Sequence, residues 1–256
     1  MNGFRQLVPQ VKFDLLIFRR NPAGTFFTLI LPIIFLVLFT SIFGNDILEG
    51  TTDVRVATFY VPGILALAIV GATTVNLAIT MTTRRERGIL KRLRGTPMPS
   101  WIFTGSQAIG GIVLSLMMTV LIVLIGRILF DVEIRLDGIP SLLITLFIGA
   151  ASFAALGLAM TIIIPSEDAA PAVTNGLMLP LYFISDVFLP GDQIPDWVRT
   201  VASIFPIQHL SLALQESFNP LIDGMSWPWK DWLVIAAWGI GAAIIAVTRF
   251  QWTPRR

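Results

Sequence analysis

The sequence predicts an all-α integral membrane protein with six transmembrane helices, formed as a single domain over residues 1–256. Three observations support this fold class. Hydrophobic residues make up 55% of the chain and charged residues 13%, whereas soluble chains carry about 25% charged residues. The mean hydropathy is +0.78. Long apolar stretches also alternate with short polar connections, which is typical of helices that cross a bilayer.

The first predicted element is an amphipathic helix at residues 4–20, where apolar and basic residues alternate at helical spacing. Such a helix lies on the membrane surface. Six spans follow, predicted at residues 26–43, 60–82, 101–129, 140–165, 171–189 and 232–247. Pro32 and Pro180 fall inside the first and fifth spans, and Pro32 is expected to bend its helix. Residues 190–229 hold apolar stretches too short to cross, so we expect outer re-entrant helices there.

The basic residues predict the orientation of these spans. Six spans place both termini on one side, and the segments on that side hold thirteen of the 18 lysines and arginines. Basic residues are enriched in cytoplasmic segments of membrane proteins. We therefore expect a multi-pass protein of the cell membrane with both termini cytoplasmic. The formal net charge of +2 is too small to indicate a nucleic-acid partner.

The connection between spans two and three, residues 83–99, is strongly cationic. It holds six basic residues, namely Arg84, Arg85, Arg87, Lys91, Arg92 and Arg94. Each would cost about 2.5–3.5 kcal/mol at the centre of a bilayer, so the segment must lie in water or among headgroups. Ile89, Leu90 and Leu93 recur at helical spacing and predict a short helix from about Arg84 to Gly95. From the residues alone, the segment either fixes topology or binds an acidic surface.

The motif in this segment resembles a known family. Glu86-Arg87-Gly88-x-Leu90-Lys91-Arg92-Leu93-Arg94-x-Thr96-Pro97 is similar to the loop between the second and third spans in permeases of ATP-binding-cassette type-2 exporters, the daunorubicin-exporter-like group. The stretches LPLYFISDVFLP, IPDWV and FPIQHL resemble the fifth span and the outer helices of the same family. Two positions depart from its pattern, because Asp186 stands where a small residue is common and Glu216 falls near a usual arginine.

The resemblance implies a function and a set of partners. The segment would be a coupling helix that docks on a separate cassette ATPase, and two permeases would assemble with two ATPase subunits in membrane lipid. ATP and magnesium would be bound by the ATPase, leaving no cofactor in this chain. The residues that the resemblance assigns to ATPase coupling are Arg84, Arg85, Glu86, Arg87, Gly88, Leu90, Lys91, Arg92 and Arg94.

The residues themselves give little support to catalysis by this chain. None of its three lysines follows a glycine, as a phosphate-binding loop would require. The single histidine, His209, has no triad partners beside it and is expected to be structural or interfacial. We therefore predict no catalytic residue and no metal site, and the chain is expected not to be an enzyme.

Polar residues inside the spans are costly in lipid unless they find a partner or face water. Thr73, Asn76 and Thr80 repeat at helical spacing in span two, and Asn175, Tyr182 and Asp186 do so in span five. These two seams are predicted to line the substrate path or a seam between permeases, or alternatively to join helices within one subunit. Because few charges interrupt the spans, we expect a lipid-like or amphipathic substrate, such as a drug or polyketide.

Two other functions remain open on the sequence. A proton-coupled secondary transporter could use Asp186, the only carboxylate predicted inside a span. A membrane-embedded enzyme is the other alternative. An associated cassette ATPase would decide between these and the exporter.

Overall fold

The computed structural model describes residues 4–43, 56–95, 99–133, 135–188, 194–222 and 224–250. Within these ranges the chain is helical, and five helices are long and apolar enough to cross a membrane. They are α2 (Pro22–Phe43), α3 (Val56–Glu86), α5 (Ser100–Phe130), α6 (Ile139–Met160) and α10 (Trp229–Arg249). The shorter helices are α1 (Phe4–Arg19), α4 (Ile89–Arg94), α7 (Ala169–Ile184), α8 (Asp196–Ala202) and α9 (Pro206–Phe218).

The predicted fifth span is the helix that differs most from expectation. It corresponds to α7, which has 16 residues and is about 24 Å long, whereas a bilayer core is about 30 Å thick. The helix ends where the chain turns, and Asp186 adopts a left-handed conformation with φ of 55°. Ala170 at its start packs against Ala78 of α3, while Asp186 beyond its end contacts α9. The stretch from Ala170 to Asp186 therefore extends along the bundle from α3 to α9.

Helix α3 lies at the centre of the bundle. In its most apolar stretch 72% of the residues are buried, against 22–44% for the other four long helices. Small residues permit this position, because they allow helix backbones to approach closely. A Cβ at Gly63 of α3 would overlap the carbonyl oxygen of Val187, and a Cβ at Gly157 of α6 would lie 2.8 Å from the carbonyl oxygen of Thr74.

Two π turns interrupt the long helices. One covers Phe26–Ile30 in α2 and ends two residues before Pro32, where the sequence predicts a bend. The other covers Gly71–Val75 in the middle of α3. A π turn adds one residue to a helical turn and so rotates the faces on either side of it relative to each other. The predicted single seam along span two crosses this second turn.

The bundle has two distinct ends. The coupling end, as we name it, holds α1, α4 and the turn after α6, and Phe250 beyond α10 packs there beside Leu77 and Leu90. The far end holds α8 and α9. Helix α9 is inserted among α3, α6 and α10, with most of its side chains buried. The two short helices predicted within residues 190–229 are thus present, and residues 189–193 and 223 lie outside the described ranges.

Helix α6 ends earlier than predicted. Pro140 stands in its first turn, as expected, but the helix stops at Met160 rather than continuing to Pro165. Turns occupy residues 161–163. The carbonyl groups of Thr161 and Ile164 instead accept hydrogen bonds from the side chain of Arg85.

Candidate ATPase-coupling site

The predicted coupling helix from Arg84 to Gly95 is interrupted, which corrects the expectation of one continuous helix. Helix α3 runs on to Glu86, a turn covers Arg87 and Gly88, and α4 begins at Ile89. Gly88 has a φ of 69°, in the left-handed region that glycine adopts without steric cost. The glycine therefore allows the chain to change direction between the end of α3 and the short helix α4.

The apolar residues of α4 attach it to the bundle. Leu90 is fully buried in a cluster with Leu77 and Met81 of α3 and Phe103 of α5. Leu93 is partly buried against the same cluster, whereas Ile89 is exposed. The predicted apolar stripe is therefore confirmed for two of its three residues.

Lys91 and Arg92 of α4 point away from this cluster. Lys91 and Arg92 are exposed to solvent, whereas the side chain of Arg94 and the whole of residues 96–98 lie outside the description. The burial of Leu90 fixes this orientation, since residues one and two positions away on a helix face other directions.

Arg84 faces the N-terminal helix. Its Nη2 lies 3.1 Å from Oδ1 of Asp14, and the two side chains are 11% and 6% exposed. Its guanidinium also stands 5.5 Å from the centre of the Phe103 ring. Asp14 accepts further hydrogen bonds from Ser106, at 2.9 Å, and from Gln10, at 3.3 Å. This buried pair joins α1, α3 and α5.

Asp14 is a residue that the sequence analysis missed. It is the only acidic residue in the predicted helix 4–20 and stands seven positions after Leu7, so both lie on one helix face. Leu7 is buried as well. A lone acid on the protein-facing side of a basic helix is the signal that would have identified it.

Arg85 is buried inside the chain. Only 1% of the residue is exposed. Its Nε donates to Glu86 at 2.8 Å, its Nη1 to the carbonyl of Thr161 at 2.7 Å, and its Nη2 to the carbonyl of Ile164 at 2.8 Å. A residue in this position offers no surface to a partner, so Arg85 would not contact an ATPase directly.

Arg87 and Glu167 form an exposed contact between the coupling segment and the turn after α6. Nε of Arg87 lies 3.0 Å from Oε2 of Glu167, and the side chains are 65% and 35% exposed. Such a pair contributes at most about 1 kcal/mol. The basic motif is thus divided: Arg84 and Arg85 bind within the chain, Arg87 lies at the boundary, and Lys91 and Arg92 face outward.

The polar residues of span two do not form one seam. Thr73 is fully buried and donates to the carbonyl of Ile69 at 2.6 Å. Asn76 and Thr80 are only partly buried and lie 3.4 Å apart through Oδ1 and Oγ1. Thr73 lies inside the π turn and the other two lie beyond it, so regular helical spacing no longer places the three on one face.

The polar residues of span five differ in their surroundings. Asn175 is exposed on the outside of α7, whereas Tyr182 is buried. Asp186 is buried beyond the helix end, where its carboxylate accepts from Gln208 at 3.0 Å. Its carbonyl accepts from Ser211 and Gln215, both at 2.9 Å. Asp186 therefore fastens the end of α7 to α9, while the other departure from the family pattern, Glu216, accepts from Ser226.

His209 has a structural role at the far end, as expected. Its Nδ1 lies 2.6 Å from Oδ1 of Asp231, and its Nε2 lies 2.9 Å from the carbonyl oxygen of Ser203. The hydrogen bond with Asp231 raises the pKa of His209 above its usual 6.5 although partial burial opposes this. The pair ties α9 to the start of α10.

Comparisons with known proteins identify the family of the chain. The family model described as ABC-2 type transporter matches residues 6–218. A protein named "Putative transport permease YvfS" from Bacillus subtilis (strain 168) is 28% identical over 86% of this chain and 86% of its own length. The "Daunorubicin resistance ABC transporter permease protein DrrB1" of Streptomyces coeruleorubidus is 25% identical over 90% of this chain and 78% of its own.

A third relative, the "Probable multidrug ABC transporter permease YbhR" of Escherichia coli (strain K12), is 22% identical over 75% of this chain and 52% of its own length. The match to the family model extends from α1 to the end of α9 and includes the whole cationic segment. Together with five helices able to cross a bilayer, it shows that this multi-pass membrane protein belongs to the ABC-2 type transporter family.

Proposed function

We propose that the chain is the membrane-spanning permease subunit of an ATP-driven exporter. It would move a lipid-like or amphipathic substrate out of the cytoplasm, using ATP and magnesium bound by a separate cassette ATPase. The observation that carries this proposal is the exposed cationic surface of α4, held on the bundle by the buried Leu90. The names of two relatives, which mention daunorubicin resistance and multidrug transport, support a drug-like substrate.

The protein would lie in the plasma membrane and cross it six times. Both termini would be in the cytoplasm. Helix α7 would be the fifth pass along the chain and would bring the number of passes to six. The buried segment 185–188 continues it to the far end. The coupling end would face the cytoplasm, because it carries the cationic segment and the basic helix α1. Helices α8 and α9 would then form the outer re-entrant region.

A second copy of the permease would cover the outer face of α7. Asn175 lies on this face with Ala172 and Gly176 beside it, all exposed in the single chain. An amide facing lipid is costly, whereas a partner helix can satisfy it and approach closely over the small residues. Asn76 and Thr80 remain the best candidates for the substrate path, since they are polar and only partly buried.

The decisive experiment is copurification of the chain with a cassette ATPase from its native membrane. The double variant Lys91→Glu and Arg92→Glu should weaken ATPase binding at least tenfold, and added salt should weaken the wild-type complex as well. Lys230→Glu is the matched control, because this exposed lysine lies at the far end. ATPase binding that survives the double reversal would contradict the proposal.

The same preparation separates the exporter from the alternatives. Transport that needs the bound ATPase supports the exporter. Transport driven by a pH gradient without it, and lost in Asp186→Asn, would support the proton-coupled reading. Turnover by the purified chain alone would support the membrane-embedded enzyme.

The second copy can be tested by cross-linking, because the sequence contains no cysteine. Asn175→Cys should form a disulfide-linked dimer under mild oxidation in native membranes. Val247→Cys, at an exposed position of α10, is the control and should remain monomeric. A dimer through Val247→Cys alone would place the contact elsewhere.

A further inference from the structure

Arg85 stands out because it is the only arginine among the largest fully buried side chains of the described chain. Burial of an unpaired guanidinium is costly, yet this one has partners on all its nitrogens. Glu86 supplies an opposite charge, and three main-chain carbonyls in the turn after α6 supply acceptors, those of Thr161, Ile164 and Pro165.

These carbonyls follow the C-terminal end of α6. A helix of 22 residues ends there, and its last carbonyl groups carry a partial negative charge and lack partners within the helix. The turn after α6 donates main-chain hydrogen bonds to the last of these carbonyls, and the guanidinium, which belongs to another helix, holds the carbonyls of that turn. Only arginine offers a planar fork with five donors, so lysine could not reproduce the arrangement.

The position of Arg85 in the chain shows which two segments this contact connects. It lies in the last turn of α3, three residues before the glycine at which the chain turns into α4. Its partners at 161–165 lead directly into α7, which begins at Ala169. The exposed pair of Arg87 and Glu167 joins the same two segments at the surface. A displacement at α4 is thereby connected to the start of α7.

We propose that Arg85 is a positioning residue that transmits movement of α4 to the connection between α6 and α7, and so to α7 itself. This inference rests on the proposed function, because it presumes that an ATPase pushes on α4. Arg85 does not touch the ATPase in this arrangement. Replacement of Arg85 should therefore leave ATPase binding intact and abolish the movement of the spans that follows it.

The test compares Arg85→Lys with Arg135→Lys in the complex with the copurified ATPase. Arg135 is a matched control, since its guanidinium also donates to two main-chain carbonyls, those of Asn219 and Gly224 at 2.7 Å, but at the far end. Arg85→Lys should bind the ATPase within twofold of wild type and lose at least tenfold of its substrate-stimulated ATP hydrolysis. Arg135→Lys should keep both.

A second readout follows the movement itself. Spin labels at Leu177→Cys, an exposed position of α7 that does not share the face of Asn175, and at Val247→Cys on α10 report their separation in the cysteine-free chain. Addition of ATP and vanadate should change this distance in the parent complex and leave it unchanged with Arg85→Lys. If that variant does not fold, Arg85→Gln, which retains amide donors without the charge, takes its place.

A rescue experiment tests the link without relying on loss alone. A flexible bifunctional thiol reagent joining Arg87→Cys to Glu167→Cys should restore coupling to Arg85→Lys, because it reconnects the same segments. Normal coupling in Arg85→Lys, loss of ATPase binding in it, or equal loss in Arg135→Lys would each overturn the inference. Failure of the wild-type chain to bind any ATPase would instead overturn the proposed function.

Discussion

Replacing Asp14 by alanine is expected to detach the N-terminal helix from the coupling end. Among the described residues, this carboxylate is the counter-charge of Arg84, at 3.1 Å, and it also accepts a hydrogen bond from Ser106 at 2.9 Å. Its removal leaves the guanidinium of Arg84, only 11% exposed, beside the ring of Phe103 and without this counter-charge. Helix α1 would then lose its polar connection to both α3 and α5.

The expected cost follows from the burial of the pair. Removing one member of a buried ion pair destabilises a protein by about 3–5 kcal/mol, since the other charge stays behind uncompensated. Because Arg84 retains some access to water and a cation–π contact, we expect the lower value of about 3 kcal/mol. That corresponds to a decrease in Tm of about 6–12 °C for a chain of this size.

The assay is thermal unfolding of the purified chain in one detergent, followed by tryptophan fluorescence. Glu167→Ala is the matched control, because it removes a carboxylate from an arginine at a similar distance, 3.0 Å, but at the surface. Its cost should stay below about 1 kcal/mol. The double variant Asp14→Ala with Arg84→Met should recover about 1–2 kcal/mol relative to the sum of the single changes.

Two results would refute this reasoning. Equal shifts in Tm for Asp14→Ala and Glu167→Ala would show that burial does not strengthen the inner pair. Strict additivity of Asp14→Ala and Arg84→Met would show that the two charges do not interact.

Two further predictions concern packing and pH. Gly157→Ala should destabilise the chain by about 1–3 kcal/mol, because its Cβ would lie 2.8 Å from the carbonyl of Thr74; Gly110→Ala, with open space around the new Cβ, should be neutral or stabilising in the same unfolding assay. The raised pKa of His209 predicts that its ion pair with Asp231 stabilises the fold fully below about pH 6.5 and loses this effect as the pH rises through the folded-state value. The Tm difference between wild type and His209→Gln should therefore shrink between pH 6 and pH 9, whereas a constant difference would contradict the assignment.

The long helices were predictable because the hydropathy of many consecutive residues contributes to their identification. The predicted spans at 26–43, 101–129 and 232–247 each lie inside an observed helix, since apolar length alone identifies them. The ends were less predictable. Helix α6 stops at Met160 because a side chain more than seventy positions away captures the next carbonyls, and no local pattern encodes that contact.

The candidate site was predictable as a segment and not residue by residue. The motif identified the cationic connection, and the spacing of Leu90 and Leu93 identified the face that packs. Composition could not divide the six basic residues, because Arg84 and Arg85 are chemically the same as Arg92. Their separation depends on the turn at Gly88 and on partners from α1 and the turn after α6.

The observed helices interrupt the regular spacing from which the two polar seams were predicted. The prediction assumed a constant helical period along span two, and the π turn at Gly71–Val75 breaks that period between Thr73 and Asn76. In span five it assumed that the helix continues to Asp186, but α7 ends at Ile184. Side chains beyond such breaks no longer share the face that their spacing suggests.

The two helices that flank α4 are each 31 residues long, which amounts to about 46 Å. A hydrocarbon layer of about 30 Å accounts for roughly two thirds of that length. The remaining length of each helix lies beyond the hydrocarbon layer, and the short cationic helix α4 connects the two helices at the coupling end. Under the proposed function, a cassette ATPase that binds α4 would therefore contact a segment that lies outside the hydrocarbon layer.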